Sequence, residues 1–314
     1  MTIKDKILII DEVHHKLVEV LSKNFETVDY CQYITYANFI DIIPHYQGLI
    51  IRSKFIIDAT VLSIATNLKW IGRYGAGMEN IDSALANKKK IYCFNTPEGN
   101  RNAVAEHCLG MLLNLQNKIM PSNLEVINGI WNRKINWGQE LEGKTIGIIG
   151  FGNTGKAFAQ KLQGFNVNIL VYDKYKTIKE HFVKQVEVNT LFLETDILSL
   201  HIPLSSETNQ LINHQFLQQF KKQIVIINTS RGPIINTQDL YQNLLSQKLS
   251  GACLDVIEYE EQSFENISSF PQVFRDLLVL PQVIFTPHIA GWSEQSFYKM
   301  GQVMLEKVMT IYKR

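Results

Sequence analysis

A chain of 314 residues, 46% hydrophobic and 19% charged, can bury more core than one compact domain holds, so two domains are the first expectation. The formal charge is +1 with no long run of either sign, so nucleic acid and membrane surfaces are not expected partners. No stretch approaches the roughly 18 apolar residues of a membrane span, and the opening MTIKDKILIIDE has no signal core. Cys31, Cys93, Cys108 and Cys253 lie far apart, with no metal-ligand spacing; a cytoplasmic protein with reduced thiols and no metal is expected.

Strand and helix patterns alternate from the start. KILII (6–10) reads as a buried strand, followed by a helical pattern over 13–21. GLIIRS (48–53), KWIGR (69–73) and IYCFN (91–95) are further strands, with a helix over 56–64 and Lys88-Lys89-Lys90 closing another. Such alternation predicts a parallel sheet covered on both faces. The pattern breaks at a Pro/Gly-containing turn around Asn95-Thr96-Pro97-Glu98-Gly99-Asn100, and a helix is predicted from about Asn102 into the region 112–115. The irregular stretch beyond it carries Trp131 and Trp137, residues suited to packing against another surface. A second alternating series follows: TIGIIG (145–150), NILVY (168–172), ILSLH (197–201), IVIIN (224–228), GACLD (251–255) and VIFTP (283–287). Residues 258–280 read as a long irregular connection, and a helix from Glu294 to about Tyr312 ends the chain.

Gly150-Phe151-Gly152-Asn153-Thr154-Gly155 follows an apolar strand and opens a helical pattern. In such a run the first glycine makes the turn, the second admits a pyrophosphate and the third lets helix and strand pack closely. Asp173 stands at the end of the next strand, where a carboxylate binds ribose hydroxyls and repels a 2′-phosphate. NAD is therefore the expected cofactor, with Lys174 and Lys176 weakening the preference over NADP.

Three polar residues follow late strands: Arg231 in INTSRGP, Glu260 in LDVIEYEE and His288 in FTPHIAGW. Hydride transfer at C2 of a 2-oxo acid needs a guanidinium to bind the carboxylate and polarise the carbonyl. It also needs an imidazole to supply a proton and a carboxylate to orient that imidazole. Arg231, His288 and Glu260 match these jobs in that order. His201, at the end of a strand, is the rival acid and otherwise lines the cofactor cleft. His107, within a helix, reads as packed.

RYGAGMENID (73–82), NTPEGNRNAVAEH (95–107), GKTIGIIGFGNTGK (143–156), LSLHIPLSSET (198–208), INTSRGPII (227–235), LDVIEYE (254–260) and TPHIAGW (286–292) resemble, in order and over nearly the whole chain, the D-isomer-specific 2-hydroxyacid dehydrogenases. Within that family the chain looks most like short-form D-3-phosphoglycerate dehydrogenases of serine biosynthesis. The resemblance implies two Rossmann-like, doubly wound parallel-sheet domains: a split substrate domain (1–98 and 288–314) with an NAD domain (99–287) inserted. It implies cofactor contacts from Gly150, Gly152, Asn153, Thr154, Gly155, Asp173, His201, Thr229, Ser230 and Asp255, the last near the nicotinamide amide. It likewise implies that Gly75-Ala76-Gly77 offer amides to the substrate carboxylate and that a homodimer forms through the NAD domain. Glu258 and Glu261 compete with Glu260 for the acid's role; Glu260 is chosen because it falls 29 residues after Arg231, as in the family. Where the family has Pro after that Glu, this chain has Glu261-Gln262-Ser263-Phe264, and it has Glu79 where Asp is common. Arg52 with Ser53, Arg73 and Arg133 match positions that bring positive charge to the substrate, which suits 3-phosphoglycerate; glyoxylate or hydroxypyruvate reduction is the alternative, and an NAD-sensing co-repressor a further one.

Overall fold

Ile7 and Ile9 point to one side of the first strand and Leu8 and Ile10 to the other, and all four are fully buried. A strand with two buried faces belongs inside a parallel sheet with helices on both sides. The computed structural model, described here for residues 2–261, 267 and 269–313, has two such sheets, each in its own unit. The first unit comprises, among the described residues, 2–101, 261 and 292–313; the second, 102–260, 267 and 269–291, is inserted into it.

In the first unit β1 (Ile3–Ile9), β2 (Phe25–Tyr30), β3 (Gly48–Ile51), β4 (Trp70–Arg73) and β5 (Tyr92–Asn95) form a parallel sheet of order β2-β1-β3-β4-β5. Helices α1 (His15–Asn24), α2 (Tyr36–Ile42), α3 (Ala59–Ile64) and α4 (Ser83–Lys88) connect the strands. The strand β2, FETVDY, has no counterpart in the sequence reading: it is an edge strand with one buried residue, so the apolar run that marks the inner strands is missing. The chain-terminal helix α12 (Glu294–Tyr312) returns here and buries Met304 and Val308 against the same face as Trp70.

The predicted turn at 95–100 is instead the start of a helix, α5 (Pro97–Asn117). Proline is tolerated at a first helical position because its missing N–H has no partner there. Gly99 marks a close approach rather than a turn, since a Cβ on it would meet the Met300 backbone N at 2.5 Å. Another exposed-faced helix, α6 (Ile119–Ile127), follows.

The second unit's sheet has the order β12-β11-β10-β9-β6-β7-β8, all parallel. Its strands are β6 (Thr145–Ile149), β7 (Asn168–Tyr172), β8 (Lys184–Gln185), β9 (Ile197–Leu200), β10 (Ile224–Asn228), β11 (Leu249–Leu254) and β12 (Val283–Phe285). The helices α7 (Asn153–Leu162), α8 (Val188–Glu194), α9 (His214–Gln218) and α10 (Thr237–Leu245) lie between them. Strand order reverses beside β6, and in such sheets ligands bind beyond the carboxyl ends at that reversal. The connection expected to be irregular over 258–280 contains a helix, α11 (Gln272–Leu278), which buries Phe274 and Leu277. Residues Gln262, Ser263 and Phe264 lie outside the described residues. Among the described residues no helix is long and apolar enough to cross a membrane.

Candidate active site

Six strands of the second unit end in one register row. Tyr172, Ile149, Leu200, Asn228, Leu254 and Phe285 are successive partners across β7, β6, β9, β10, β11 and β12. The next residues along each strand are Asp173, Gly150, His201, Thr229, Asp255 and Thr286. Parallel pairing therefore sends most of this unit's expected functional residues out at a single edge.

The glycine turn after β6 has the shape a dinucleotide needs. Gly150 takes φ 91°, in the left-handed region. A Cβ on Gly155 would meet the Gly150 carbonyl oxygen at 2.1 Å, so helix and turn touch backbone to backbone. Above Gly152 a Cβ would meet nothing within 4 Å, and this residue begins α7 without a side-chain cap. Uncapped N–H groups at an open helix start are suited to a pyrophosphate, and Asn153 and Thr154 form that first turn. Asp173 accepts the Phe151 N–H on Oδ2 at 2.8 Å and the Tyr175 and Lys176 N–H groups on Oδ1 at 3.0 Å each. Backbone donors thus fix the carboxylate beside the turn, and its remaining lone pairs suit ribose hydroxyls. Lys174 Nζ pairs with Glu207 at 2.6 Å, which draws it toward that acid rather than toward a 2′-phosphate.

His201 is 8% exposed, with Nε2 2.9 Å from Ser199 Oγ and Nδ1 3.1 Å from Thr154 Oγ1. Burial pushes its pKa down to about 3. A neutral imidazole at every ordinary pH is no general acid, so the rival assignment fails on desolvation. Its place is beneath the glycine turn, holding the hydroxyl of Thr154.

The catalytic candidates come together. His288 Nδ1 lies 2.5 Å from Glu260 Oε2, and Glu260 Oε1 accepts the Ile257 N–H at 2.6 Å. Glu258 is occupied elsewhere: it accepts from Thr237 N (3.0 Å), Thr237 Oγ1 (2.7 Å) and Gln210 Nε2 (2.9 Å). Glu261 is exposed. Arg231 Nη1 donates to the Ser230 carbonyl at 2.6 Å, while Ser230 Oγ donates to the Leu200 carbonyl at 2.5 Å. A Cβ on Gly232 would meet the Ile257 carbonyl oxygen at 1.8 Å, so the chain carrying Arg231 presses directly on the segment that leads to Glu260.

Two supports were not singled out from sequence. Asn228, fully buried, accepts the Ser230 N–H at 3.0 Å and donates to the Arg231 carbonyl at 3.0 Å. Thr286 donates to Asp255 Oδ1 at 2.5 Å. An Asn or Thr closing an apolar strand before a polar turn is the signal that marks them. Asp255, expected at the nicotinamide amide, is 1% exposed, and it also accepts the Ile289 and Ala290 N–H groups at 2.9 Å each. Burial raises its pKa, and the donors and His288 pull it back. The carboxylate therefore holds the turn bearing His288 and presents no ligand surface. Thr229 Oγ1 sits 3.2 Å from Cys108 Sγ.

In the first unit, Arg73 is the register partner of Ile51, the residue before Arg52 and Ser53. Two arginines therefore stand at the carboxyl ends of adjacent strands. Arg52 lies over the Trp292 ring, 4.5 Å from its centroid. Asp11 accepts the Arg52 N–H at 2.6 Å and Asn80 donates to the Arg52 carbonyl at 3.0 Å, fixing the loop. Gly75 departs from its expected role: its N–H is used by Thr96 Oγ1 at 2.9 Å, leaving Ala76 and Gly77 as amide candidates. Arg133 belongs to the second unit and is exposed.

His288→Ala is expected to lower turnover of a 2-oxo acid by about a hundredfold or more, the usual worth of a general acid. Glu260→Gln moves the pH–rate profile, whereas Glu261→Gln leaves it in place; steady-state assays across pH check both. A second expectation concerns stability. His201 is protonated in the unfolded chain below an imidazole's ordinary value of 6.5 but stays neutral when folded down to about 3. The unfolded state then binds the extra proton, so stability falls as pH drops through that window, by up to about 1.4 kcal/mol per pH unit. Denaturant unfolding between these pH values should show a shallower decline in His201→Asn.

The family described as D-isomer specific 2-hydroxyacid dehydrogenase, NAD binding domain, matches residues 109–290. A hydroxypyruvate reductase of Thermotoga maritima is 33% identical over 298 residues, covering 95% of each chain. A D-3-phosphoglycerate dehydrogenase of Archaeoglobus fulgidus is 32% identical over 98% of this chain but only 57% of its own length. The chain thus spans little more than half of that relative. An acyclic imino acid reductase solved with NADPH and D-Arg superposes with TM-score 0.86 at 24% identity, over 98% of this chain and 97% of that one. The match over most of the inserted unit, together with relatives above 30% identity along nearly the whole chain, establishes that this protein belongs to the D-isomer-specific 2-hydroxyacid dehydrogenases.

Proposed function

We propose that the chain is an NAD-linked dehydrogenase that interconverts 3-phosphoglycerate and its 2-oxo acid. The observation that carries the reaction is the 2.5 Å contact between His288 Nδ1 and Glu260. The glycine turn and the start of α7 would hold a nicotinamide dinucleotide, which would supply hydride chemistry at C2 of the acid. Arg231 pairs with the substrate carboxylate and polarises the C2 oxygen. Glu260 holds Nδ1, so His288 exchanges the substrate oxygen's proton through Nε2, giving it in reduction and taking it in oxidation. The anchored carboxylate of Asp173 supports NAD over NADP. Two arginines, Arg52 and Arg73, at the carboxyl ends of adjacent strands support an anionic, phosphorylated substrate.

A second reading, hydroxypyruvate reduction, is favoured by the match along 95% of both chains to the Thermotoga maritima protein. Turnover of 3-phosphohydroxypyruvate, hydroxypyruvate and glyoxylate with NADH and NADPH separates the two. The phosphorylated acid should lead in kcat/KM by about tenfold or more, since charged hydrogen bonds of about 1.5–3 kcal/mol each are at stake. Equal or better use of hydroxypyruvate would replace the first reading by the second. In Asp173→Ala the ratio of NADPH to NADH use should rise.

A second copy of the chain is the proposed partner. Trp131 and Trp137 are 78% and 76% exposed, and no residue of α6 just before them is buried. Ile119, Leu124, Ile127 and Ile130 nearby are also half exposed or more, and apolar side chains gathered on a surface suit contact with another chain. Trp137→Asp should convert a dimer to a monomer by light scattering; a monomeric parent protein would refute the assignment.

A further inference from the structure

The helix α5 touches the catalytic edge through one face. His107 Nε2 lies 2.9 Å from Thr286 Oγ1 and 3.6 Å from Asp255 Oδ1. One turn later Met111 Sδ lies 3.6 Å from the same hydroxyl. Residues four apart share a helix face, so His107 and Met111 grip Thr286 from one side.

The donor arithmetic gives this contact a direction. A threonine hydroxyl has one proton. That of Thr286 is directed to Asp255 Oδ1 at 2.5 Å, so its oxygen accepts from His107 Nε2–H. Asp255 in turn accepts the amides of Ile289 and Ala290, and its carbonyl accepts the His288 N–H at 2.8 Å. An unbroken chain of hydrogen bonds therefore runs from α5 to the backbone on both sides of the His288 side chain. His288 itself has φ 55°, a left-handed conformation that persists only where its surroundings impose it.

We infer that His107 is a positioning residue: through Thr286 and Asp255 it holds the 286–290 turn so that His288 meets the reacting oxygen. This rests on the reading of His288 as the proton-transferring group. His107 touches neither substrate nor cofactor in this role. Its effect belongs on the chemical step rather than on binding, because proton and hydride transfer are sensitive to displacements of an ångström or less.

The test compares His107→Phe, which fills the space without a donor, with His107→Gln, which restores an N–H. His107→Phe should lose about tenfold or more in kcat, with KM for acid and nucleotide kept within about threefold, and its solvent deuterium isotope effect on kcat should rise. His107→Gln should recover most of the loss. Wild-type kcat in His107→Phe, or equal losses in both variants, overturns the inference, as does a loss expressed only as weaker nucleotide binding in fluorescence titration. His288→Ala is measured alongside. Retained turnover there refutes the proton-transfer reading and the positioning role with it; a dead His288→Ala beside a normal His107→Phe refutes the positioning role alone.

Discussion

His288 stands in a backbone conformation that costs a non-glycine residue about 1–3 kcal/mol, and a buried carboxylate keeps it there. Asp255 collects a hydroxyl and two amides around the turn, and each of those bonds offsets the burial that would otherwise favour its neutral form. The imidazole can then meet Glu260 with no freedom to swing away. The placement of His288 against Glu260 thus depends on the Asp255 carboxyl group beneath the turn. A polar network this deep is stabilising when every member is satisfied and costly when one is lost.

The sheet supplies the rest of the alignment. Register pairing of Asn228, Leu254 and Phe285 brings three strand ends level, and short turns of different length then deliver Arg231, Glu260 and His288. Close backbone contact at Gly232 ties the first of these turns to the second. On the far side of β6, the same edge offers an uncapped helix start and an anchored carboxylate. The residues proposed for cofactor binding and for proton transfer therefore lie along one sheet edge, an arrangement that suits precise transfer.

The first unit shows a different division of labour. Its sheet edge carries cations rather than acid–base groups, with Arg52 spread on Trp292 and its loop fixed from both sides by Asp11 and Asn80. Fixing a guanidinium in advance reduces the side-chain entropy lost on binding an anion. Arg52 and Arg73 belong to this unit, whereas Arg231, Glu260 and His288 belong to the other.

Much of this was legible in the amino-acid order because the demands are local. Strands buried on both faces appear as unbroken apolar runs, and the turn at 150–155 needs glycines at set spacings whatever surrounds it. Asp173, Arg231 and His288 were found because each follows such a run. The edge strand β2 escaped, since exposure on one side erases the pattern, and the helix start at Pro97 was mistaken for a turn because Pro and Gly serve in both. The spacing from Arg231 already singled out Glu260, whereas tertiary structure alone decided that Glu258 instead accepts from Thr237, that Asp255 is buried beneath the turn, and that His107 joins it. Those outcomes depend on which groups separate segments bring within about 3 Å of each other, and hydrogen-bond partners chosen across 21, 31 or 179 residues of chain leave no periodic trace in the sequence.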